Sequence, residues 1–121
     1  MEAHPSGTYV LVTFVPPGHS GKVLDAMFDA GAGKIGNYDR CAFVSRGTGR
    51  FRPLAGADPF IGTAGKDTFV DEERLELIVP EEAVKPVIDA LRKAHPYEEP
   101  ALYLFALDPR CLKKSKKPEQ A

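Results

Sequence analysis

Apolar residues cluster in four short runs along the chain, and each run has the composition of a β-strand. β-Branched and aromatic residues dominate the first run, at residues 8–15, and such residues favour extended backbone. Pro16 and Pro17 end the first run, because proline has no N–H to donate to a strand ladder. Gly47 and Gly49 weaken the second run or mark a β-bulge in it. The four predicted strands cover residues 8–15, 41–52, 68–79 and 101–107.

Two segments between these runs carry apolar residues at helical spacing. We expect Ser20 to cap the first helix, and Gly31 and Gly33 to end it. The second helix opens at Pro80 and stops before Pro96, and Pro86 inside it either kinks the helix or shifts its true start. The apolar stripes consist of Val23, Leu24, Met27 and Phe28 in the first helix and of Val84, Val87, Ile88 and Leu91 in the second.

The order β-α-β-β-α-β predicts an α+β fold, a ferredoxin-like βαββαβ sandwich. In this arrangement a four-stranded antiparallel sheet carries both helices on one face. The other face stays uncovered and includes apolar side chains of residues 101–107. Because an uncovered apolar face is typical of a partner surface, we expect a homo-oligomer.

Length and charge indicate one ordinary globular domain with a basic end. The chain has 121 residues and a formal net charge of −1, which does not favour nucleic acid as a partner. We expect a flexible N-terminus over residues 1–7, a body over 8–109 and a basic tail over 110–121. The lysines of the tail are either a contact for phosphate or acidic partners or, as we prefer, a solvated terminus.

Cysteine usage and the absence of a long apolar segment suggest a cytoplasmic protein. Cys41 and Cys111 lie far apart in sequence and form no CxxC pair. The longest apolar run, Tyr9–Val15, is far too short to span a bilayer. We therefore expect no membrane association.

A glycine-rich turn after the first helix is one candidate site. Such a turn can expose backbone N–H groups to an anion, but a phosphate cradle normally precedes a helix, and this turn follows one. The alternative is a helix C-cap and tight connection that needs positive φ angles. The candidate binding residues are Gly31, Gly33, Gly36, Asn37 and Tyr38.

A second candidate site is the segment His95–Pro100. His95, Tyr97, Glu98 and Glu99 could bind a metal or move a proton. A closed zinc site needs about four ligands, and the segment offers only two or three. The alternative is a polar connection whose side chains hydrogen-bond to nearby backbone. A divalent metal therefore stays open as a cofactor, with its identity unknown.

Three stretches, taken in order, resemble the inserted domain of the NIF-three-like family, named for an NGG-one-interacting factor. They are GAGKIGNYDRCAFVSRGTGRFRPLAGADPFIG at 31–62, ERLELIVP at 73–80 and AHPYEEPALYL at 94–104. The resemblance covers about residues 8–107. It implies a fold like that of the PII signalling proteins and the CutA divalent-ion tolerance proteins, which form trimers. A trimer is therefore favoured over a dimer.

Full-length family members carry a di-metal centre in a separate domain, and no segment here matches its His, Asp and Glu ligand motifs. That presumed hydrolase centre does not carry over to this chain, and we assign no catalytic residue. What the resemblance does carry over is the glycine turn, Tyr38 and the 95–100 segment, as a surface whose ligand is unsettled. Because both segments belong to the family pattern, we expect them to meet at one site or subunit interface.

Three hypotheses about function remain. The first and preferred one is a non-catalytic binding, regulatory or assembly module that senses a small ligand or a divalent ion and can dock on a protein partner. The second is a small metal-assisted hydrolase with His95 as base and Glu98 or Glu99 as metal or water ligand. The third is a purely structural oligomer in which both segments fix turns and interfaces.

Overall fold

The computed structural model describes residues 6–112, and its elements follow the predicted order. The predictions for residues 1–5 and for the lysines at 113–117 lie outside the described residues. Short 3₁₀ turns occupy Glu81–Ala83 and Pro109–Cys111. The main elements are β1 (Thr8–Val15), α1 (Ser20–Asp29), β2 (Phe43–Phe51), β3 (Thr68–Pro80), α2 (Val84–Ala94) and β4 (Leu102–Ala106).

The four strands form one antiparallel sheet in the order β2-β3-β1-β4. β1 is therefore a central strand, and Leu11 at its middle pairs with Leu77 of β3 and Leu104 of β4. This topology is the predicted ferredoxin-like α+β fold. It explains why β1 is almost continuously apolar, since it is buried by strands on both edges and by helices above.

Both helices cover the same face of the sheet, as predicted. Val23 and Met27 of α1 and Val87 and Leu91 of α2 pack in one cluster with β1 and β3 residues. Each such buried aliphatic side chain contributes about 1.5–3 kcal/mol relative to an exposed one. The strand members of this core are Leu11, Val15, Leu75, Leu77 and Val79.

The opposite sheet face, here called the open face, carries exposed aromatic side chains. Strand alternation and register place Phe43, Tyr103 and Phe105 on it, at 66%, 50% and 57% exposure. The sequence-based expectation that residues of the last strand lie on an uncovered face is therefore confirmed. Val12 of the central strand β1 lies on the same face beside Tyr103, and it is only 2% exposed because its larger neighbours cover it.

The β2–β3 hairpin extends past the end of β1. The last residue of β1, Val15, pairs with Glu73, whereas β2 and β3 continue to pair as far as Phe51 and Thr68. Residues 47–51 and 68–72 thus form a two-stranded extension, here called the arm. Pairing through the arm is one to one, so the bulge considered at Gly47 and Gly49 is absent.

The helix starts differ in detail from the prediction. Ser20 is the first residue of α1 and not its cap, and its hydroxyl donates to the Glu73 carboxylate instead. A side chain that points at the sheet is not free to cap its own helix. α2 begins at Val84 after the 3₁₀ turn, so Pro86 lies in its first turn, where no N–H donor is needed. Of the two readings of Pro86, the shifted start is confirmed.

Candidate functional site

The first part of the glycine-rich turn is a helix C-cap. The Gly31 N–H donates to the Phe28 carbonyl and the Ala32 N–H to the Met27 carbonyl, both at 3.0 Å. This is the Schellman pattern, and it places Gly31 in the left-handed region at φ +116°. The geometry matches the alternative that the sequence left open, in which the glycine serves the backbone.

The rest of the turn is fastened to β3 and ends in a small hairpin. The Gly33 N–H donates to the Ile78 carbonyl at 2.8 Å, and a Cβ at Gly33 would lie 2.7 Å from the Phe28 ring. Ile35 and Tyr38 exchange two backbone hydrogen bonds of 2.9 Å. Gly36, at φ +57°, and Asn37 form the tip. Gly36, Asn37 and Tyr38 line only a shallow surface depression.

His95 is a buried structural residue with both ring nitrogens engaged. Its side chain is 5% exposed. Nε2–H donates to the Phe14 carbonyl at 2.6 Å, and Nδ1 accepts the Tyr97 N–H at 3.1 Å. These partners fix the neutral tautomer protonated on Nε2, and burial lowers the pKa of His95 below its usual value. The ring thus ties the end of β1 to the connection between α2 and β4.

Tyr97 continues this network onto the arm. Its hydroxyl donates to Oε2 of Glu72 at 2.7 Å, and burial together with that carboxylate raises the pKa of Tyr97 well above its usual range. Glu98 accepts the Asp58 N–H at 3.0 Å, which fastens the long loop between β2 and β3. Glu99 lies exposed at the rim of the same region.

These contacts enclose a cleft of about 780 Å³ on the open face. Its floor is Gly47, Gly49 and Glu72 of the arm, and its roof comes from loop residues 53–61 and from 97–101. A cleft of this size lies in the usual range of small-ligand sites. Aromatic side chains form its walls: Phe14, Phe51, Phe60, Tyr97 and Tyr103.

The aromatic walls contact one another around Tyr97. Its ring centroid is 6.2 Å from that of Phe51 and 6.4 Å from that of Phe60. Phe60 in turn lies edge-on to His19 at 5.5 Å, so the loop is anchored to the start of α1. The long loop that the sequence marked only as glycine- and proline-rich is therefore part of the cleft.

The two candidate segments do not meet within one copy of the chain, so they form no shared site there, and their meeting at a subunit interface stays a prediction. The glycine turn bonds to Ile78 near the end of β3, whereas Tyr97 bonds to Glu72 near its start. Six strand positions separate these contacts, about 20 Å at about 3.3 Å per residue. The reason is topological: α1 follows β1 and α2 follows the antiparallel β3, so the helices end at opposite ends of the sheet.

The floor residues of the cleft were not among the sequence candidates. Gly49 has no room for a side chain, since a Cβ there would lie 1.8 Å from Oε1 of Glu72. Gly47, by contrast, has nothing within 4 Å of its Cβ position. Two glycines spaced by one residue, opposite an acidic residue of the next strand, were the available signal, but pairing register was needed to interpret it.

Residues 6–112 lack two features, a cluster of metal ligands and a helix long enough to cross a membrane. No group of three or more His, Cys, Asp or Glu side chains is placed to hold a metal ion. No helix in that part of the chain has the length and apolarity that a bilayer crossing needs.

Comparison with known sequences finds relatives that are much longer than this chain. No family model matches it. It is 50% identical over 99 residues to the GTP cyclohydrolase 1 type 2 homolog of Halalkalibacterium halodurans, covering 82% of this chain and 27% of that protein. It is 46% identical over 98 residues to the Bacillus subtilis homolog of the same name, covering 81% and 26%. The chain thus spans about a quarter of the curated relatives it matches.

Comparison with solved structures gives the same result and confirms the fold. A Bacillus cereus protein related to NIF3 is 44% identical with a TM-score of 0.73, over 84% of this chain and 26% of that one. The PII-like protein CutA of Nostoc has a TM-score of 0.63 at 14% identity, over 85% and 84%. The second likeness concerns the fold alone. Together they bear out the predicted resemblance to a PII- or CutA-like fold.

Proposed function

We propose that this chain corresponds to the inserted PII- and CutA-like domain of NIF-three-like proteins and acts as a non-catalytic module that binds a small ligand. The likeness to one quarter of longer homologs supports the first part. The activity named for those homologs is a property of whole proteins about four times as long, and it is not part of this proposal.

The cleft is the observation that carries the binding role. It is enclosed by three segments far apart in sequence, namely the arm, the loop over 53–61 and residues 97–101. Its walls are aromatic and its floor holds a buried carboxylate. The Tyr97 hydroxyl donates to Glu72 and the Asp58 N–H donates to Glu98, and these two hydrogen bonds hold the parts of the cleft together. Concave apolar surface with a few placed polar groups is the usual form of a ligand site.

The hydrolase alternative has less support. A general base needs a free nitrogen within reach of a substrate proton, and both ring nitrogens of His95 are committed to backbone partners. Glu98 is likewise committed to a loop N–H. A divalent ion is the less supported ligand, because within residues 6–112 no group of three or more His, Cys, Asp or Glu side chains is placed to hold one, and the Glu72 carboxylate is contacted by the Tyr97 hydroxyl.

Assembly is a second proposed role, supported by the exposed aromatics of the open face. Tyr103 and Phe105 lie exposed on edge strand β4, and Phe43 lies exposed on the opposite edge strand β2, with the Arg74–Glu76 ion pair of β3 between the two edges. Exposed aromatic side chains favour contact with further copies of the chain or with a protein partner. A homo-trimer in the cytoplasm remains our expectation.

The binding role is tested with 1-anilinonaphthalene-8-sulfonate as a probe of apolar clefts, followed by backbone amide NMR. We expect shifts concentrated at residues 45–54 and 97–103, and their loss in Gly47→Leu, whose side chain would fill the cleft. Thr48→Leu is the matched control, because alternation turns its side chain to the other face. The ligand cleft would be refuted if the probe shifted only the amide signals of Phe43 and Phe105. It would also be refuted if the probe caused the same amide shifts in Gly47→Leu as in the wild type.

A further inference from the structure

Glu72 is a buried carboxylate without a cation. It is 9% exposed, and among residues 6–112 no Lys, Arg or His nitrogen lies within the 4 Å of an ion pair. The Tyr97 hydroxyl donates a hydrogen bond to Oε2 of Glu72, while Oε1 lies over the Cα of Gly49. Buried charges in proteins are normally paired, so this carboxylate has capacity for a positively charged partner.

The charged groups nearest to it are already engaged. Arg74, two positions along β3 on the same face, donates to Glu76 at 3.0 Å. His95 is held neutral, because both its nitrogens bond to backbone. Among residues 6–112, no cationic side chain therefore pairs with the Glu72 carboxylate, although Arg74 lines the same cleft.

Aromatic rings line the same cleft as Glu72. The Tyr97 hydroxyl bonds to this carboxylate, and the Tyr97 ring centroid lies 6.2 Å from that of Phe51 and 6.4 Å from that of Phe60. An ammonium group is attracted to ring faces within about 6 Å, by about 0.5–2 kcal/mol depending on desolvation. The same rings favour a flat apolar ligand body.

The rim of the cleft offers an opposite charge. Arg52 lines it, and among the described residues it makes no ion pair. Its guanidinium is suited to a carboxylate, which it can bind through two parallel hydrogen bonds. Glu72 at the floor and Arg52 at the rim thus match a ligand with charges of both signs.

We propose that the cleft binds a small aromatic zwitterion of the amino-acid type. Its ammonium pairs with Glu72, its ring lies between the aromatic walls, and its carboxylate meets Arg52. This inference rests on the proposed binding function of the cleft and names the ligand chemistry.

Three matched probes test it by amide NMR and calorimetry: L-phenylalanine, phenethylamine without the carboxylate, and 3-phenylpropionate without the amine. We expect L-phenylalanine to bind most tightly. Glu72→Gln, which keeps the shape and the Tyr97 contact, should weaken L-phenylalanine and phenethylamine about tenfold or more and leave 3-phenylpropionate unchanged. Arg52→Gln should weaken the two carboxylates and spare the amine.

The outcomes separate this inference from the function on which it rests. If the anilinonaphthalene probe occupies the cleft but L-phenylalanine does not bind at millimolar concentration, the ligand class is wrong and the binding role stands. If neither probe binds, both fail. The proposal of a zwitterionic ligand would also be overturned if Glu72→Gln left the binding of L-phenylalanine unchanged. It would likewise be overturned if the protein took up Mg²⁺ or Zn²⁺ through Glu72 and bound no amine.

Discussion

At the scale of single residues, Gly49 and Glu72 depend on each other. The carboxylate occupies the space that a Cβ at Gly49 would need, whereas the space over Gly47 is empty. We predict that Gly49→Ala displaces Glu72 from Tyr97 and lowers the free energy of unfolding by about 1–2 kcal/mol. Gly47→Ala should leave it within about 0.5 kcal/mol or raise it slightly. Urea denaturation of the two variants measures the difference, and equal effects would contradict the contact.

His95 should make stability depend on pH. Burial lowers its pKa in the folded state below the unfolded value of about 6.5, opposed by the Phe14 hydrogen bond and by Glu72, while His19 adds to the lowering. The unfolded chain then binds the proton more readily. The neutral-ring stability is present above about pH 6.5 and is lost as the pH falls through and below that value.

The measurement is the urea midpoint at a series of pH values on both sides of about pH 6.5, the pKa of histidine in the unfolded chain. His95→Gln should lower stability at neutral pH, because a buried partner of Phe14 and Tyr97 is altered, and should flatten the pH dependence. His19→Gln is the control and should keep most of the slope. An undiminished slope in His95→Gln would show that another group is responsible.

Residue types alone located the 95–99 segment but not its role. His95 and the two acids were equally consistent with a metal site and with backbone hydrogen bonding, since composition does not reveal partners distant in sequence. Phe14 and Glu72, which decide between the two, lie in other strands. The same limit explains why Glu72 was missed.

At the scale of elements, the end of α1 depends on one backbone conformation. Gly31 adopts φ +116°, and its Cβ position lies 3.1 Å from that of Ala83. We predict that Gly31→Ala costs about 1–2 kcal/mol of stability. Gly21→Ala, in the same helix with open space around it, should instead be neutral or gain about 0.5 kcal/mol. Thermal unfolding measures the melting temperatures of the two variants. Similar melting temperatures for Gly31→Ala and Gly21→Ala would contradict the role of Gly31 as the helix C-cap residue.

The helices and strands could be predicted best from the sequence, because the patterns that indicate them lie within each segment. Apolar alternation and proline positions placed each strand within about two residues of its observed bounds. The Ser20 cap was wrong because its hydroxyl is drawn to Glu73 of the sheet. The reading of the glycines as a β-bulge was wrong. Gly49 instead leaves room for the Glu72 carboxylate, and the local sequence does not indicate that contact.

At the scale of the whole molecule, the open face predicts self-association. Tyr103 and Phe105 are half-exposed neighbours at its edge. We expect the chain to behave as an oligomer in light scattering, and the double change Tyr103→Lys with Phe105→Lys to shift it to the monomer mass. Phe69→Lys is the control: that ring is 61% exposed but lies on the other side of the sheet, against Arg50. A wild-type monomer at micromolar concentration would refute assembly.

Topology followed from the order of elements, but the site did not. Six elements in the order β-α-β-β-α-β leave few ways to build a right-handed sandwich, so the sheet could be derived. The cleft needs the arm, a long loop and the last connection to come together. The expectation of one shared site within a single chain was wrong because it treated both helix ends as equivalent. Since β1 and β3 are antiparallel, the helices that follow them end at opposite ends of the sheet.

The central position of β1 has a consequence for how the chain acquires its shape. Both partners of β1 are distant, at residues 68–80 and 102–106, so no early hairpin can shelter it. The chain loses conformational entropy when such long loops close, before the strand pairing that stabilises them has formed. This slows folding, typically to milliseconds or longer. On a ribosome that adds about 5–20 residues each second, this apolar strand waits on the order of seconds for its first partner. The segment most essential to the finished sheet is therefore the one most exposed to mispairing, and chaperone dependence should be greatest during that interval.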